Sequence, residues 1–243
     1  MKKFISIKMI ILYIMIIISV ILIPKVIDNK ISYLSLGDSY SKGTNSYGIE
    51  EYSYSDYLKD KLEDNRQLKE YTNYSYNEIT IKDLINEISK IQNIDSELQK
   101  KLLKRLIQEA DVITLSIGIN DLKYYLSIEE NMNNNKINSI LRKVENEYNN
   151  LIKEIRKYYS KKIYVIEYPI IMTNDYYLLV LIKKYNNYLR NNKELISISV
   201  KDLENDRLTY FDNTNSSYYN RKGYKRISNK IYKMIEKGWK IIK

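Results

Sequence analysis

The feature that most constrains this chain is an alternation of element types. Short apolar, β-prone runs at Ser32–Leu36, Val112–Ile117, Lys162–Tyr168 and Ile196–Val200 read as strands, with a further one at Tyr71–Tyr76. Helix-length segments lie between and after them, at Asp56–Leu62, Ile79–Gln108, Ile137–Tyr159, Tyr176–Arg190 and Arg221–Ile242. Leu84, Ile85, Ile88, Ile91, Leu98, Leu102, Leu103 and Leu106 keep near-helical spacing in the second of these, which Asp95-Ser96 divides in two. In the third, Ile140, Leu141, Val144, Tyr148, Leu151, Ile152 and Ile155 share one face. Strands that alternate with helices of this length predict βαβ units, hence a parallel sheet covered by helices on both faces. Ligands in such folds sit beyond the carboxyl ends of the strands. Gly37 and Gly118, each just after a strand, fall there. No internal repeat is present.

Two missing residue types exclude whole classes of chemistry. The 243 residues contain no cysteine and no histidine. Disulfides, thiol catalysis and thiolate metal sites are excluded. The usual general base and the commonest metal ligand are absent too, so no metal site and no cofactor are expected. Gly-rich phosphate loops are also lacking. The net charge of +10 suits a neighbourhood of anionic lipids or wall polymers. Without an aromatic-basic motif it does not indicate nucleic acid. The 26 tyrosines accompany an excess of Ile, Lys and Asn, and read as compositional bias more than as function.

The N-terminus reads as a membrane anchor. Lys2 and Lys3 precede a mostly apolar stretch from Phe4 to Ile27, interrupted by Lys8 and Lys25. As a helix at ~1.5 Å per residue, Met9–Pro24 spans about 24 Å, a little short of a ~30 Å hydrocarbon core. Snorkelling lysines at both ends extend that reach. The small residues of a signal-peptide cleavage site are missing, which favours an uncleaved anchor over a secreted product. Lysines before the apolar run place the N-terminus inside and the rest outside. The expected organisation is a signal anchor over 1–30 in the cell membrane and one extracytoplasmic domain over 31–243.

Three segments carry candidate chemistry. Leu36-Gly37-Asp38-Ser39-Tyr40 sets a serine after a strand and a glycine, where a tight turn presents the hydroxyl or where the triplet simply caps a helix. Gly118-Ile119-Asn120-Asp121 follows the next apolar strand; the Asn amide there donates to a developing oxyanion, or Asn120 or Asp121 caps the helix-like Leu122–Leu126. Tyr219-Asn220-Arg221-Lys222-Gly223-Tyr224 precedes the last helix. Arg221-Lys222 there either contacts an anionic ligand or forms a solvated turn. The helix over Tyr176–Arg190 either packs on the sheet or closes over an acyl pocket as a lid.

Together, in this order, these segments resemble the GDSL/SGNH hydrolase family, over roughly residues 31–243. The likeness is closest at Tyr33–Thr44, then at Tyr47-Gly48 and Tyr54-Ser55-Asp56-Tyr57. The resemblance implies a three-layer α/β/α, flavodoxin-like fold with a mainly parallel five-stranded sheet. It implies metal-free ester hydrolysis by a Ser-His-Asp triad, on an acylated envelope glycan or lipid. Ser39 matches the nucleophile, and Asn120 an oxyanion-hole donor beside the Ser39 backbone N–H. The family's Asp and His positions hold Asn215 and Tyr218 instead. Its oxyanion-hole glycine is replaced by Glu78 or Asn77, and a carboxylate beside an oxyanion opposes the charge that develops there. A serine hydroxyl is a poor nucleophile without a base, and ordinary phenols keep their proton up to pH ~10. Nothing in the spacing demands that Asp206, Asp212 or Lys222 take the base's place. The expectation is therefore a family member with a degenerate triad and weak or no hydrolysis, or a non-catalytic binding or structural domain with a vestigial cleft.

Overall fold

A computed structural model describes residues 9, 11–18, 30–89, 94–170, 175–213 and 216–241, with backbone alone for 94–101 and 239–241. Residues 9 and 11–18 are helical, and their apolar side chains are exposed. Apart from Lys30, the rest of the expected anchor lies outside the described residues. Among the described residues, no helix is long and apolar enough to cross a membrane.

Five strands form one all-parallel sheet: β1 (Ile31–Gly37), β2 (Leu68–Ser75), β3 (Val112–Ser116), β4 (Ile163–Ile166) and β5 (Leu195–Ile198). Their order is β2-β1-β3-β4-β5. The chain winds one way from β1 to β2 and the other way from β3 onward, so the direction reverses between β1 and β3. In open parallel sheets a crevice forms at that point. Strands β1, β3 and β4 are buried along their whole length, as expected of a sheet covered on both faces, even at Ser32, Ser35, Thr114 and Ser116.

The helices are α1 (Ser39–Lys42), α2 (Tyr54–Asp64), α3 (Ile81–Ser89), α4 (Ile94–Glu109), α5 (Ile119–Ser127), α6 (Asn134–Arg156), α7 (Tyr176–Asn191), α8 (Lys201–Glu204), α9 (Arg207–Tyr210) and α10 (Arg221–Ile241). Helices α2 and α10 pack on each other, while α3, α5, α6 and α7 form a second contiguous group. In α6 the predicted stripe is buried at Ile140, Val144, Tyr148, Leu151, Ile152 and Ile155, together with Ile137, while Leu141 is half-buried against the core. In α7, Leu178, Leu181, Ile182, Tyr185 and Leu189 are buried, so this helix packs into the core and is not a lid.

Several boundaries differ from the sequence reading. Strand β2 starts three residues earlier than expected because Leu68–Glu70 pair with β1 despite their polar character. Strand β4 ends at Ile166, short of Tyr168, since Glu167 and Tyr168 turn toward α7: Asn186 Oδ1 accepts from the Tyr168 N–H at 3.0 Å. Helices α8 and α9 were not anticipated; four residues are too few to show a period.

The register aligns the carboxyl ends of the three strands nearest the crevice. Gly37 sits opposite Ser75 on β2 and opposite Ser116 on β3. It adopts φ +139°, and a Cβ there would lie 2.0 Å from the Ser116 carbonyl oxygen. Only glycine allows this approach, which lets the Asp38 N–H donate to Ser116 O at 2.8 Å. Gly37→Ala combines a forbidden backbone conformation with a backbone clash. It is expected to lower stability by roughly 3 kcal/mol or more, as read from the midpoint of urea unfolding; a shift below ~1 kcal/mol would contradict this account.

Candidate active site

Three loops leave the aligned strand ends and enclose a cleft of about 530 Å³. Its lining includes Ser39 and Thr44 from the first loop, Asn77, Glu78 and Thr80 from the second, and Asn120, Lys123 and Tyr124 from α5. Tyr218, from the segment before α10, completes the wall. Of the five positions singled out in the sequence, the fold thus brings Ser39, Asn120, Glu78 and Tyr218 together. Asn215 lies outside the described residues. Asp206, Asp212 and Lys222 are not among the lining residues.

Ser39 stands at the first position of α1. The two readings of its triplet turn out to be compatible, because the cap is its neighbour. Asp38 Oδ1 accepts from the Tyr40 N–H at 3.1 Å and from Ser116 Oγ at 3.0 Å. Its Oδ2 accepts a short hydrogen bond from the Tyr168 hydroxyl. Asp38 is completely buried. Burial pushes its carboxyl up to about 6, against the opposing pull of these three hydrogen bonds and of the Lys123 charge. Ser39 is left half-exposed on the cleft, and among the described residues its hydroxyl has no hydrogen-bond partner.

The segment after β3 is tied to the loop after β2. Asn120 Nδ2 donates to Ile79 O at 3.0 Å, which leaves its second amide hydrogen for a ligand. Asp121 does not take the capping role suggested by the sequence. Gly118 is the cap residue of α5 and makes no side-chain bond there. Asp121 instead reaches across to the start of α3, where both carboxylate oxygens lie 3.1 Å from the Ile81 N–H. Burial raises its carboxyl to about 7, opposed by that hydrogen bond and reinforced by Glu147.

Glu78 resolves the ambiguity with Asn77. It has φ +61°, whereas Asn77 is not among the residues with positive φ. A left-handed backbone is the conformation that favours glycine, so of the two candidates Glu78 has the backbone a glycine would adopt. Its side chain is exposed. The carboxylate is thus not buried in the cleft.

Tyr218 is held by aromatic packing. Its ring stacks on Tyr40 at 5.6 Å and 18°, and the Tyr40 hydroxyl donates to Ser217 O at 3.0 Å. Tyr40 also meets Tyr168 edge-on at 5.3 Å. Asp212 accepts from the Ser46 N–H at 2.9 Å, which pins the turn over residues 44–50 to the closing segment. Arg221 pairs with Glu51 at 3.6 Å on the outside. Sequence reasoning missed Lys123, Thr44 and Thr80. Only Lys123 left a signal, lying three residues after Asn120 and hence on the same helical face. Among the described residues, no group of three or more acidic side chains could hold a metal ion.

The family model described as GDSL-like Lipase/Acylhydrolase matches residues 33–233. A search of curated proteins finds no match. Among solved structures, a lipase from a goat rumen metagenome is similar with TM-score 0.65 and 16% identity, covering 82% of this chain and 95% of its own. An acetylxylan esterase from Geobacillus stearothermophilus gives 0.57 and 15%, over 83% and 92%. A psychrotrophic esterase from Pseudoalteromonas sp., inhibited by monoethylphosphonate, gives 0.57 and 17%, over 88% and 100%. At such identities these structures establish the fold.

The two buried carboxyls set a pH dependence. Both have folded-state values, about 6 and about 7, above the ordinary aspartate value of 3.8. Between the two states' values the folded protein therefore binds more protons than the unfolded chain, so their joint contribution weakens as pH rises. Thermal stability should fall between about pH 4 and pH 7, with Asp38 alone contributing roughly 3 kcal/mol of the loss, most of it below about pH 6. Asp38→Asn and Asp121→Asn should each flatten the profile. An unchanged slope in both variants would refute this assignment.

Proposed function

This chain belongs to the GDSL-like lipase/acylhydrolase family, and on that premise we propose that it is a membrane-anchored, extracytoplasmic family member that binds an acylated envelope glycan or lipid with little or no turnover. The observation that carries this reading is the composition of the cleft. Ser39 and Asn120 line it together with the left-handed Glu78, so an acyl carbonyl has a serine and three candidate donors around it: the Ser39 and Glu78 N–H groups and the Asn120 amide. Such donors stabilise charge developing on a carbonyl oxygen. What the cleft lacks is a proton acceptor. The chain has no histidine, and a phenol packed on Tyr40 occupies the wall where the base would act.

The chemistry follows from that imbalance. Attack by a serine on an ester needs its proton removed as the bond to carbon forms. A site with donors and no base lowers the barrier only through binding and charge stabilisation; in intact triad proteases such remnants keep about 10³–10⁴-fold over water. Recognition of the acyl group survives under these conditions while hydrolysis becomes slow. The acylated envelope ligand and the outward orientation rest on the apolar leader, the positive charges before it and the family.

The full chain in nonionic detergent, treated with a fluorophosphonate and read by intact mass, tests the absence of an activated serine. Wild type should remain unlabelled, like Ser39→Ala. The double variant Asn215→Asp/Tyr218→His restores the missing partners and should gain labelling that depends on Ser39, with ester hydrolysis at least ~10²-fold above wild type. Ser39-dependent labelling of the wild type would overturn the reading, because another group would then be activating the serine.

A further inference from the structure

We propose that Lys123 makes this cleft selective for a ligand bearing an anionic group, a carboxylate or a phosphate on a hydroxylated ring. The inference deepens the reading above and rests on it, since it assumes that this cleft is where the ligand binds.

Helix α5 runs away from the cleft floor, and Asn120 and Lys123 stand one turn apart on its cleft-facing side. Lys123 is exposed and makes no ion pair among the described residues. Its charge reaches the buried Asp38 through the floor, but the Asp38 oxygens are already taken by Tyr168, Ser116 and the Tyr40 N–H. Among the described residues no hydrogen bond or ion pair engages its ammonium. Lys42, Lys82 and Lys136 pair with Glu50, Glu147 and Glu129, but none of the three lines the cleft, where Lys123 is the one cation among the described lining residues.

A neutral ester does not call for this charge. Binding its carbonyl requires the hydrogen-bond donors already described, and a permanent cation adds nothing specific to an uncharged acyl group. It adds much for a carboxylate or phosphate, whose charge-assisted hydrogen bonds are roughly twice as strong as neutral ones. The rest of the lining suits a hydroxylated ring. Asn77 offers its amide N–H groups, the Thr80 hydroxyl being taken by Asp83, and Tyr124 and Tyr218 offer aromatic rings at two points of the wall. Thr44 Oγ1 donates to Asn77 Oδ1 at 2.7 Å, which orients that amide. The opposing charge in the cleft is Glu78. It forms no ion pair with Lys123 among the described contacts, so the two stand as separate determinants, one attracting an anion and one repelling it.

Isothermal titration of the full chain in nonionic detergent, at low ionic strength, compares glucose, glucuronate and glucose 6-phosphate. The two anionic sugars should bind about tenfold more tightly than glucose, and added salt should narrow the gap. Lys123→Gln should abolish the preference, Lys123→Arg should keep it, and Glu78→Gln should strengthen it. A preference for glucuronate over glucose 6-phosphate would assign the anion as a carboxylate, and the reverse as a phosphate. Equal binding of glucose, a preference that survives Lys123→Gln, or no saturable binding of any of the three would overturn the proposal. None of these outcomes depends on Ser39 reactivity, so failure here is distinct from failure in the fluorophosphonate experiment.

Discussion

The contact on which the rest of this molecule depends is the meeting of Gly37 and Asp38 with Ser116. Two adjacent parallel strands end there at the same level, and the backbone of one turns directly over the other. The missing Cβ of Gly37 permits the approach, and the Asp38 N–H bond to Ser116 O seals it. The carboxylate then does three things at once. It caps the single turn that carries Ser39, it bonds Ser116 on β3, and it accepts from Tyr168 beyond β4. The first, third and fourth strands are thereby joined at the crevice by one buried side chain. Such a group is costly to bury unless its hydrogen bonds are made, and here both oxygens are used.

Tyrosine fills much of the interior around this point. Tyr40, Tyr168, Tyr185, Tyr219 and Tyr224 are buried, and Tyr168 stacks on Tyr185 at 6.3 Å. Several of the hydroxyls find backbone or side-chain partners: Tyr185 donates to Ile117 O at 2.7 Å, and Tyr54 pairs with Ser41 Oγ at 2.7 Å. A buried aromatic ring with a satisfied hydroxyl packs as well as a leucine and adds a direction. The tyrosine excess therefore has a structural use even where its origin is compositional. Tyr218 belongs to the same system. Its ring continues the stack from Tyr40 to the cleft wall, so the position expected to hold a base has been absorbed into aromatic packing.

The cleft consequently combines a serine, amide and backbone N–H groups with the absence of histidine. Glu78 keeps the backbone twist for which a glycine is the natural choice. Asn120 keeps its place through the bond to Ile79 O, and Asp121 holds the start of α3. Backbone and amide donors are built by the fold and persist as long as the strands and their loops pack in the same way. A proton acceptor is a single side chain and disappears with one substitution.

The sequence by itself determined the α/β class, the approximate place of each long element, and the positions of Ser39, Asn120, Glu78 and Tyr218 relative to one another along the chain. It also determined that histidine chemistry is impossible. These follow from local periodicity, glycine positions and residue identity, which need no knowledge of distant contacts. Only the tertiary structure decided that Asp38 and not Ser39 is the cap, that Asp121 serves α3 instead of its own helix, and that Lys123 shares the cleft with Ser39. It alone separated Glu78 from Asn77, through a backbone angle. Each of those outcomes depends on which loops the parallel register brings to one level. Register is set by pairing between residues some 40 to 80 positions apart, and no local pattern records it.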